Sequence, residues 1–396
     1  MTNGIYLDNS MTTRPSEKAI GKMLPFYTDH WGSTSSPHQL GQELFPAIEK
    51  SLKEIYTLVG APDTADFVFT SSGAEAVNQV ILSAYLDVTR STGKNQFITS
   101  TIDEAPALMS IHRLEQLDCV AKYAKINPQG KVTVESIADI ITPRTALVSL
   151  SWANCLTGVI HPVAEIATLC QERGILFHLD ATHVLGKLFF DLADINPDFL
   201  TFNGDQFHAP KGTGGLFIKQ NIKCKPLIIG GLEQAGRRAG DLNVPGLVAL
   251  GYAAHEALET RDLLCTEVAR LRDKLEEGVM KEFPEAVVFF RDQERLPNST
   301  AIGFPGIANE AMLYTLNRKG VYASIGGGSA QQIALVLTAS GVEESLAQSA
   351  INFCLSRETS EDEIERAIEL IGTAALQLRK TSCKLYPSTI VNSTTK

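Results

Sequence analysis

Two groups of polar residues follow apolar runs in the middle of the chain, and they include the side chains best suited to chemistry. The first run, residues 177–179, ends on Asp180, and the second, residues 199–202, ends on the sequence Asn-Gly-Asp-Gln at 203–206. A glycine-rich turn at 210–215 precedes another apolar run. Open α/β sheets bind ligands at the carboxyl ends of their parallel strands. These side chains therefore predict a ligand site at one edge of a parallel sheet.

A second candidate site lies where the β-branched and aromatic residues 67–70 lead into Ser71, Ser72 and Gly73, ahead of a helical pattern. A glycine-containing turn before a helix exposes N–H groups at the positive end of the helix dipole, which suits a phosphate. Ordinary helix caps have the same appearance, so this signal is weak by itself.

Further strands and helices must position these residues. Apolar runs at residues 96–99 and 146–150 predict two more strands. Residues 244–280 have a mostly helical pattern, and a long helix there would carry the chain into a smaller domain. Short strands are predicted in that domain near residues 287–290 and 299–304.

The composition excludes several classes of protein. The chain has 396 residues, 44% of them hydrophobic, and a net charge of −10, which suggests two domains and argues against nucleic acid as a partner. No apolar run approaches the length of a membrane span, and the N-terminus has no signal pattern. The seven cysteines are scattered, without a C-x-x-C pair, so they fit a reducing cytoplasm and give no zinc motif.

The stretches HLDATHVLGK, FNGDQ and PKGTGG resemble the cofactor segment of cysteine desulfurases, which belong to the class V aminotransferases and use pyridoxal phosphate (PLP). The motifs YLDNS, FTSSGAEA and TGVIHP extend the resemblance from Ile5 to about Ile371. The resemblance implies the α/β fold type I of PLP-dependent transferases. That fold is a mostly parallel, doubly wound sheet with a smaller C-terminal α/β domain.

The same resemblance implies the domain boundaries. A large PLP-type domain is expected at residues 15–255, and a small domain is expected from residues 1–14 together with 256–385. The remaining residues, 386–396, are rich in Ser and Thr and are expected to form a loose tail.

The positions that the resemblance assigns to PLP carry altered residue types. Asp180 stands where the family's Asp holds the protonated pyridine nitrogen, but Gln206 stands where the family's Schiff-base Lys should be. An amide nitrogen is not nucleophilic and cannot bind PLP covalently. Glu104 replaces a His that stacks on the pyridine ring, and a carboxylate has no aromatic face for that contact.

The positions assigned to the substrate are altered as well. The family's mobile loop carries a cysteine that becomes a persulfide, and Ser329 or Gly328 aligns with it. Neither residue can carry a persulfide. Asn352 stands where an Arg clamps the substrate carboxylate, so the bidentate clamp is lost.

The rest of the ancestral pocket consists of Gly73, Ala74, Cys155, His183, Asn203, Asp205 and Asp241. Ala74 lacks the Thr hydroxyl of the family's phosphate cup, and Asp241 replaces a Thr that binds the phosphate of the neighbouring subunit's cofactor. Cys155 replaces a cofactor-contacting Asn, and a buried small residue is favoured over a reactive thiol. His183 replaces a Gln that bonds the ring oxygen; it could make that bond or be a core histidine.

These changes all make the charge of the pocket more negative. The pocket has lost a Lys, an Arg and two imidazoles, and it has gained Glu104, Asp205 and Asp241. Like charges near a phosphate and a substrate carboxylate oppose binding. We therefore expect weak or absent PLP binding and a degenerate homologue without desulfurase activity. Such a chain would serve as a dimeric or partner-binding subunit.

Two alternatives remain open. The chain could be an active enzyme that uses PLP or its amine form without a Schiff-base lysine, with His208 or His183 as the proton carrier and Asp180 on the ring nitrogen. Lys211 could be a displaced Schiff-base lysine, although the Pro-Lys-Gly match assigns it to a framework turn. The second alternative is a metal ion on the acids and histidines. Their spacing is no known metal signature, so we expect no metal.

The resemblance also implies partners and a compartment. The family is dimeric, so a homodimer is the default expectation. The alternative is a heterodimer with an active paralogue, or a complex with a sulfur-transfer or iron–sulfur protein. We expect a cytoplasmic protein with neither nucleic acid nor membrane as a partner.

Overall fold

The computed structural model describes residues 4–327 and 331–385, without the side chains of 382–385. Ser329, the residue aligned with the persulfide cysteine, and the predicted tail lie outside the described residues.

Fourteen strands lie within the described residues. In chain order they are β1 (Ile5–Tyr6), β2 (Asp66–Thr70), β3 (Gln96–Ser100), β4 (Val120–Ala124), β5 (Thr145–Ser151), β6 (Leu176–Asp180), β7 (Phe199–Asn203), β8 (Gly214–Ile218), β9 (Val287–Val288), β10 (Ser299–Gly303), β11 (Val321–Tyr322), β12 (Gly326–Gly327), β13 (Gln331–Gln332) and β14 (Ala350–Cys354).

The α-helices of the same residues are α1 (Glu17–Met23), α2 (Pro25–Thr28), α3 (Gln39–Gln42), α4 (Phe45–Val59), α5 (Gly73–Ala84), α6 (Arg90–Thr92), α7 (Ala105–Leu114), α8 (Val134–Ala138), α9 (Val163–Glu172), α10 (Leu192–Ile195), α11 (Val244–Glu259), α12 (Arg261–Leu263), α13 (Ala269–Glu282), α14 (Asn309–Arg318), α15 (Ile333–Ala339), α16 (Glu344–Ala347) and α17 (Glu361–Leu385). None of them is long and apolar enough to cross a bilayer, as far as the described residues go.

The chain divides into two compact units. The larger unit comprises Thr12–Asn154 and Val159–Asp262, and the smaller comprises Met1–Met11, Cys155–Gly158 and Leu263–Lys396.

A seven-stranded sheet with the order β2-β8-β7-β6-β5-β3-β4 forms the centre of the larger unit. All of its neighbouring pairs are parallel except those that β8 makes with β2 and β7. Strands β3, β5 and β8 are buried along their whole length, as expected for a sheet covered by helices on both faces. The predicted α/β fold with a mostly parallel sheet is confirmed.

His178 links three central strands of this sheet by hydrogen bonds. Its two ring nitrogens lie 2.8 Å from the hydroxyls of Ser149 on β5 and Thr201 on β7, so one imidazole links three neighbouring strands. Burial lowers the pKa of His178 to about 3, so the ring is neutral and acts as one donor and one acceptor. The bridge lies next to the strand end that carries Asp180.

The smaller unit has its own core. Strand β10 pairs antiparallel with β9 and β14, and β1 pairs in parallel with β11. Its long helix α17 begins after the predicted capping box, in which the Ser360 N–H donates to Glu363 and the Glu363 N–H donates to the Ser360 hydroxyl. The predicted long helix over residues 244–280 is instead divided: α11 ends at Glu259, with Thr260 as its C-cap, and a π-helical segment, Leu264–Val268, precedes α13.

The turn after β6 depends on a glycine. Gly186 has a φ of +75°, and a Cβ placed on it would lie 2.8 Å from the Cβ of Phe207. Only a residue without a side chain permits both this conformation and this approach. The turn is therefore packed directly against the chain that follows β7.

We predict that Gly186→Ala lowers the free energy of unfolding by about 2–5 kcal/mol, since a left-handed Ala costs about 1–2 kcal/mol and overpacking costs about 1–3 kcal/mol. Urea denaturation would measure this. Gly174→Ala is the matched control, because Gly174 has a φ of +60° and no atom within 4 Å of the added Cβ. Equal losses in the two variants would contradict the close packing of the turn.

Candidate functional site

The carboxyl ends of β3, β6 and β7 lie on one sheet and supply the predicted site residues of the larger unit. Glu104 follows β3, Asp180 ends β6, and Asn203 ends β7. Asp205 and Gln206 form a short 3₁₀ turn immediately after β7. These residues therefore lie at the carboxyl-end edge of the sheet, where the sequence predicts a ligand site.

Asp180 is a buried carboxyl. It is 7% exposed, and its Oδ1 accepts a hydrogen bond of 2.9 Å from the Thr182 N–H. The pKa of Asp180 is raised to about 6, chiefly by burial and in smaller part by the negative charge of Glu104, while the Thr182 bond and the His183 charge act in the opposite direction. Such a group can hold or release a proton near neutral pH.

Glu104 and His183 are paired with each other. The Nε2 atom of His183 lies 3.2 Å from the Oε1 atom of Glu104, and their side chains are 9% and 18% exposed. A protonated imidazole beside a carboxylate forms a charge-assisted hydrogen bond. The His183 ring therefore has a carboxylate partner inside the protein.

Asp103 holds the backbone next to Glu104, and sequence reasoning did not single it out. Its buried carboxylate accepts hydrogen bonds from the Glu104 N–H at 2.9 Å, from the Thr99 hydroxyl at 2.9 Å and from the Ser151 hydroxyl. Burial raises the pKa of Asp103, and these donors oppose the shift. The sequence feature that could have identified Asp103 is an acidic residue between a buried strand and Glu104.

Gln206 also has a partner that sequence reasoning missed. Its side-chain Oε1 accepts a hydrogen bond of 3.2 Å from the Nζ of Lys187, and both residues are buried. The structure therefore places a lysine ammonium beside the amide that occupies the Schiff-base position. The signal in the sequence was a single lysine inside the apolar stretch VLGKLFF.

Asp205 has one satisfied and one unsatisfied oxygen. Its Oδ2 accepts from the Thr12 hydroxyl at 3.1 Å, whereas its buried Oδ1 has no hydrogen-bond partner among the described residues. Burial raises the pKa of Asp205, and the positive charges of Lys211, Lys187 and His183 offset part of the shift.

The candidate phosphate turn uses its donors internally. The Ser71 N–H donates to Glu75 at 2.8 Å, the Gly73 N–H to Asn203 at 3.4 Å and the Glu75 N–H to the Ser72 hydroxyl at 3.2 Å. Arg238 donates to the same Glu75 carboxylate at 3.0 Å. The adjacent Ala74 is exposed and offers no hydroxyl.

Two further candidates have other contacts. Asp241 is exposed and accepts a hydrogen bond of 2.7 Å from the Ser33 hydroxyl. His208 has a φ of +71° and its Nδ1 lies 2.8 Å from the Arg14 carbonyl oxygen, to which it can donate. Its N–H also donates to the Thr13 hydroxyl. Through these contacts His208 holds the segment before α1 in place.

The smaller unit contains Asn352 and Cys155. The Nδ2 of Asn352 donates to the Leu156 carbonyl at 2.8 Å and to the Ser299 hydroxyl at 3.0 Å, and its Oδ1 accepts from the Ser10 hydroxyl at 2.8 Å. Asn352 is fully buried, and Cys155 is 5% exposed. The Asn352 amide therefore crosslinks three segments of this unit.

The donor set fits a pyridoxal group in part. Asp180 offers a buried carboxyl for a ring nitrogen, and Lys187 brings an amine next to position 206. The residue at 206 itself is an amide, and three N–H groups of the phosphate turn, those of Ser71, Gly73 and Glu75, already have protein partners. PLP would supply an aldehyde and an electron-withdrawing ring to such a site.

The aminotransferase class-V family model matches residues 5–367. The chain is 35% identical to a cysteine desulfurase of Gluconacetobacter diazotrophicus over 384 residues, which cover 96% of this chain and 95% of that protein. It is also 35% identical to the cysteine desulfurase NifS of Azotobacter vinelandii, with 96% and 94% covered.

Solved structures agree with these relatives. A NifS-like protein superimposes with a TM-score of 0.88 at 29% identity, and the match covers 95% of this chain and all of that one (100%). The NifS-like protein from Rickettsia africae superimposes with a TM-score of 0.83 at 26% identity, with 94% and 99% covered.

We predict that Asp180→Asn stabilises the protein increasingly as the pH rises. The folded carboxyl keeps its proton up to a pH of about 6, whereas the unfolded carboxyl, with an ordinary pKa of 3.8, loses it earlier. The wild type therefore loses stability between these two values, and Asn does not titrate while still accepting from Thr182. The difference should reach about 2–3 kcal/mol above pH 6.

Urea denaturation of both proteins between pH 4 and 7 would test this, with the exposed Asp292→Asn as the control. A difference between Asp180→Asn and wild type that stays constant with pH would show that Asp180 ionises normally in the folded protein.

Proposed function

Since this chain belongs to the aminotransferase class-V family, we propose that it is a cysteine desulfurase-like protein without desulfurase activity. It acts as a dimeric or partner-binding subunit and holds PLP weakly or not at all. Its relatives are named cysteine desulfurases, and the framework that it shares with them explains the fold. The side chains of the pocket support the loss of activity.

The observation that carries this proposal is the amide at position 206. The Gln206 side chain is buried, and its oxygen already accepts a hydrogen bond from the Lys187 ammonium. A nucleophilic amine is required there for the covalent step that the family resemblance implies. The amide cannot perform that step.

The residue at the substrate position supports the same conclusion. Asn352 uses its amide nitrogen and its oxygen in bonds to Ser10, Leu156 and Ser299. An amide with these internal partners cannot also clamp a carboxylate as an Arg would. Breaking the bonds would leave buried polar groups unsatisfied, at about 1–3 kcal/mol each.

Charge argues against a bound phosphate. Three backbone donors of the phosphate turn already have acceptors, and the Glu75 carboxylate accepts from the Ser71 N–H at its start. Asp241 stands in place of a hydroxyl donor and is exposed on its own loop. A carboxylate repels a phosphate dianion wherever the two come close.

An exposed apolar surface supports the role as a subunit. We define the apolar rim as the exposed side chains of the larger unit on segments 24–45 and 228–232, namely Leu24, Tyr27, Trp31, Leu40, Phe45, Ile228, Ile229 and Leu232. Ile229 and Leu232 are 84% and 88% exposed. Phe45 and Leu232 also line a cavity of about 420 Å³. Apolar patches of this kind mark interaction sites.

The loop that carries Ile229 and Leu232 is held in place by its own side chains. Gln234 accepts from the Phe69 N–H at 2.7 Å and donates to the Phe69 carbonyl at 2.9 Å, as a neighbouring strand would. Arg237 pairs with Asp66 on the same edge strand. A preformed loop loses little entropy on association. We propose a homodimer first, with an active paralogue or a sulfur-transfer or iron–sulfur protein as the alternative partner.

A second candidate function is an active enzyme of the family with altered, lysine-independent chemistry. The paired Glu104 and His183, next to the buried Asp180, favour it because together they could hold and move a proton. His183 suits that role better than His208, whose ring bonds to a backbone carbonyl. In either case we propose a cytoplasmic location.

We predict that the purified protein releases no sulfide from cysteine, even with added PLP, and that dialysis removes any visible cofactor band. The reason is the lack of a nucleophilic side chain at Gln206 and of a carboxylate clamp at Asn352. A family desulfurase assayed in parallel is the positive control. Gln206→Lys should retain more cofactor but still release no sulfide; enzyme-dependent sulfide from the wild type would refute the proposal.

We also predict that Ile229→Asp combined with Leu232→Asp raises the dissociation constant for self-association at least about tenfold, since burying an Ile or Leu side chain contributes about 1.5–3 kcal/mol and about 1.4 kcal/mol is tenfold in affinity. Sedimentation velocity over a concentration series measures this. Leu335→Asp, at a 51% exposed site outside the rim, is the matched control. A monomeric wild type, or equal weakening by the control, would contradict the homodimer.

A further inference from the structure

Strand β4 is an edge strand of the seven-stranded sheet, and β2 forms the other edge. The edge of β2 is covered within the larger unit, because the Gln234 side chain bonds both the N–H and the carbonyl of Phe69. An edge strand without such a cover presents a row of N–H and C=O groups to which another strand can pair. The two edges therefore have to be compared by their free backbone groups.

The register of β4 determines which of its backbone groups are available. The Val120 N–H donates to the Asn95 carbonyl at 2.8 Å, so Val120, and with it every second residue of the strand, faces β3 in the parallel ladder. The residues between them, Ala121 and Tyr123, direct their N–H and C=O groups outward. These outward groups have no hydrogen-bond partner within the part of the chain that the structure describes. Strand β4 is thus open to pairing where β2 is closed.

The face of β4 that is turned towards α7 offers apolar surface. Ala121 packs against the buried cluster that includes the α7 residues Ile111 and Leu114. Tyr123, on the same face, is 38% exposed, and Leu117, between α7 and β4, is 45% exposed. Alternate residues of a strand share a face. A strand added beside β4 would therefore cover this surface with apolar side chains at every second position.

The opposite face and the end of β4 are basic. Lys122, at the centre of the strand, and Lys125, directly after it, are exposed, and neither ammonium has a partner among the described residues. Residues 113–131 carry four basic and two acidic side chains, in a chain whose net charge is −10. One of these acids, Glu115, already lies 2.7 Å from His112. The local excess of positive charge favours an acidic partner.

The central lysine also determines which strand can pair with β4. An antiparallel second copy of β4 centred on Lys122 would place two ammonium groups directly opposite each other, and like charges at that spacing destabilise a strand pair. A carboxylate at the same position of a different chain would instead form an ion pair. Lysine on an edge strand thus opposes self-pairing and leaves the edge open to an acidic strand.

We propose that the β4 edge binds an extended acidic segment of a partner protein, which adds to the sheet as a further strand. The segment lies antiparallel to β4, the more stable arrangement, and bonds to the N–H and C=O groups of Ala121 and Tyr123. It alternates apolar residues on the α7 side with Asp or Glu on the side of Lys122. This inference deepens the proposed role as a partner-binding subunit and rests on that part of the proposed function. It involves neither the apolar rim nor the pocket at the strand ends.

The test uses the full-length protein and a synthetic peptide of about eight residues, the length of an ordinary strand, in which Val alternates with Glu. A peptide in which Val alternates with Lys is the matched control. Fluorescence anisotropy should give the acidic peptide a dissociation constant at least about tenfold lower than that of the basic one. Hydrogen exchange should show protection of residues 119–126 by the acidic peptide, with β2 unchanged.

Three results of this experiment would overturn the proposal. The first is equal binding of the two peptides, and the second is binding without protection of β4. The third is protection of β4 that grows with protein concentration in the absence of peptide, which would assign the edge to a second copy of the chain.

Two variants test the backbone and the charge separately. Tyr123→Pro removes an outward N–H and no bond to β3, so it should weaken binding of the acidic peptide at least about tenfold. Tyr123→Val, which keeps the N–H, is its matched control and should bind several times more tightly than Tyr123→Pro. Lys122→Glu should reverse the preference, so that the basic peptide binds more tightly.

Circular dichroism establishes that each variant is folded. Unaltered binding by a folded Tyr123→Pro, or an unreversed preference in Lys122→Glu, would contradict the pairing at β4. Lys122→Glu decides the question if Tyr123→Pro does not fold, since Lys122 is an exposed side chain. The sulfide and sedimentation assays are separate readouts, so this inference and the proposed function can fail independently.

Discussion

The burial of ionisable groups at the carboxyl ends of β6 and β7 is the constraint on which the pocket depends. Asp180, Lys187 and Asp205 are each at least nine-tenths buried, and a buried charge is costly unless it is paired or neutralised. These three groups differ in how the protein accommodates them. Asp180 has a pKa raised to about 6, Lys187 donates to an amide, and one oxygen of Asp205 has no hydrogen-bond partner within the part of the chain that the structure describes.

The same constraint explains how contacts expected for a cofactor can be lost without loss of the fold. Glu104 and His183 satisfy each other at 3.2 Å. In the smaller unit, Asn352 satisfies Ser10, Leu156 and Ser299. These bonds connect strands and loops of the same unit, so the altered residues contribute to packing. Internal partners of this kind leave few buried polar groups that need a ligand to satisfy them, which is consistent with the proposed weak binding of PLP.

The fold could be predicted from the sequence because apolar runs and family motifs can both be recognised in short stretches of residues. It also placed Asp180 and Gln206 at adjacent strand ends. It could not give the bonds between them and distant residues: Lys187 appeared as one polar residue in an apolar stretch, and Asp103 as one acid in a loop. The division of the predicted long helix near Thr260 was missed because no proline or glycine marks it.

Position 206 shows why sequence identity alone does not determine whether a protein is active. A chain that is 35% identical to named desulfurases shares their fold, and the residues that determine packing outnumber the few that perform chemistry. One amide in place of one amine removes a nucleophile while keeping a hydrogen bond to a buried neighbour. Overall similarity measures the many residues that determine packing and does not report the chemistry of a single side chain.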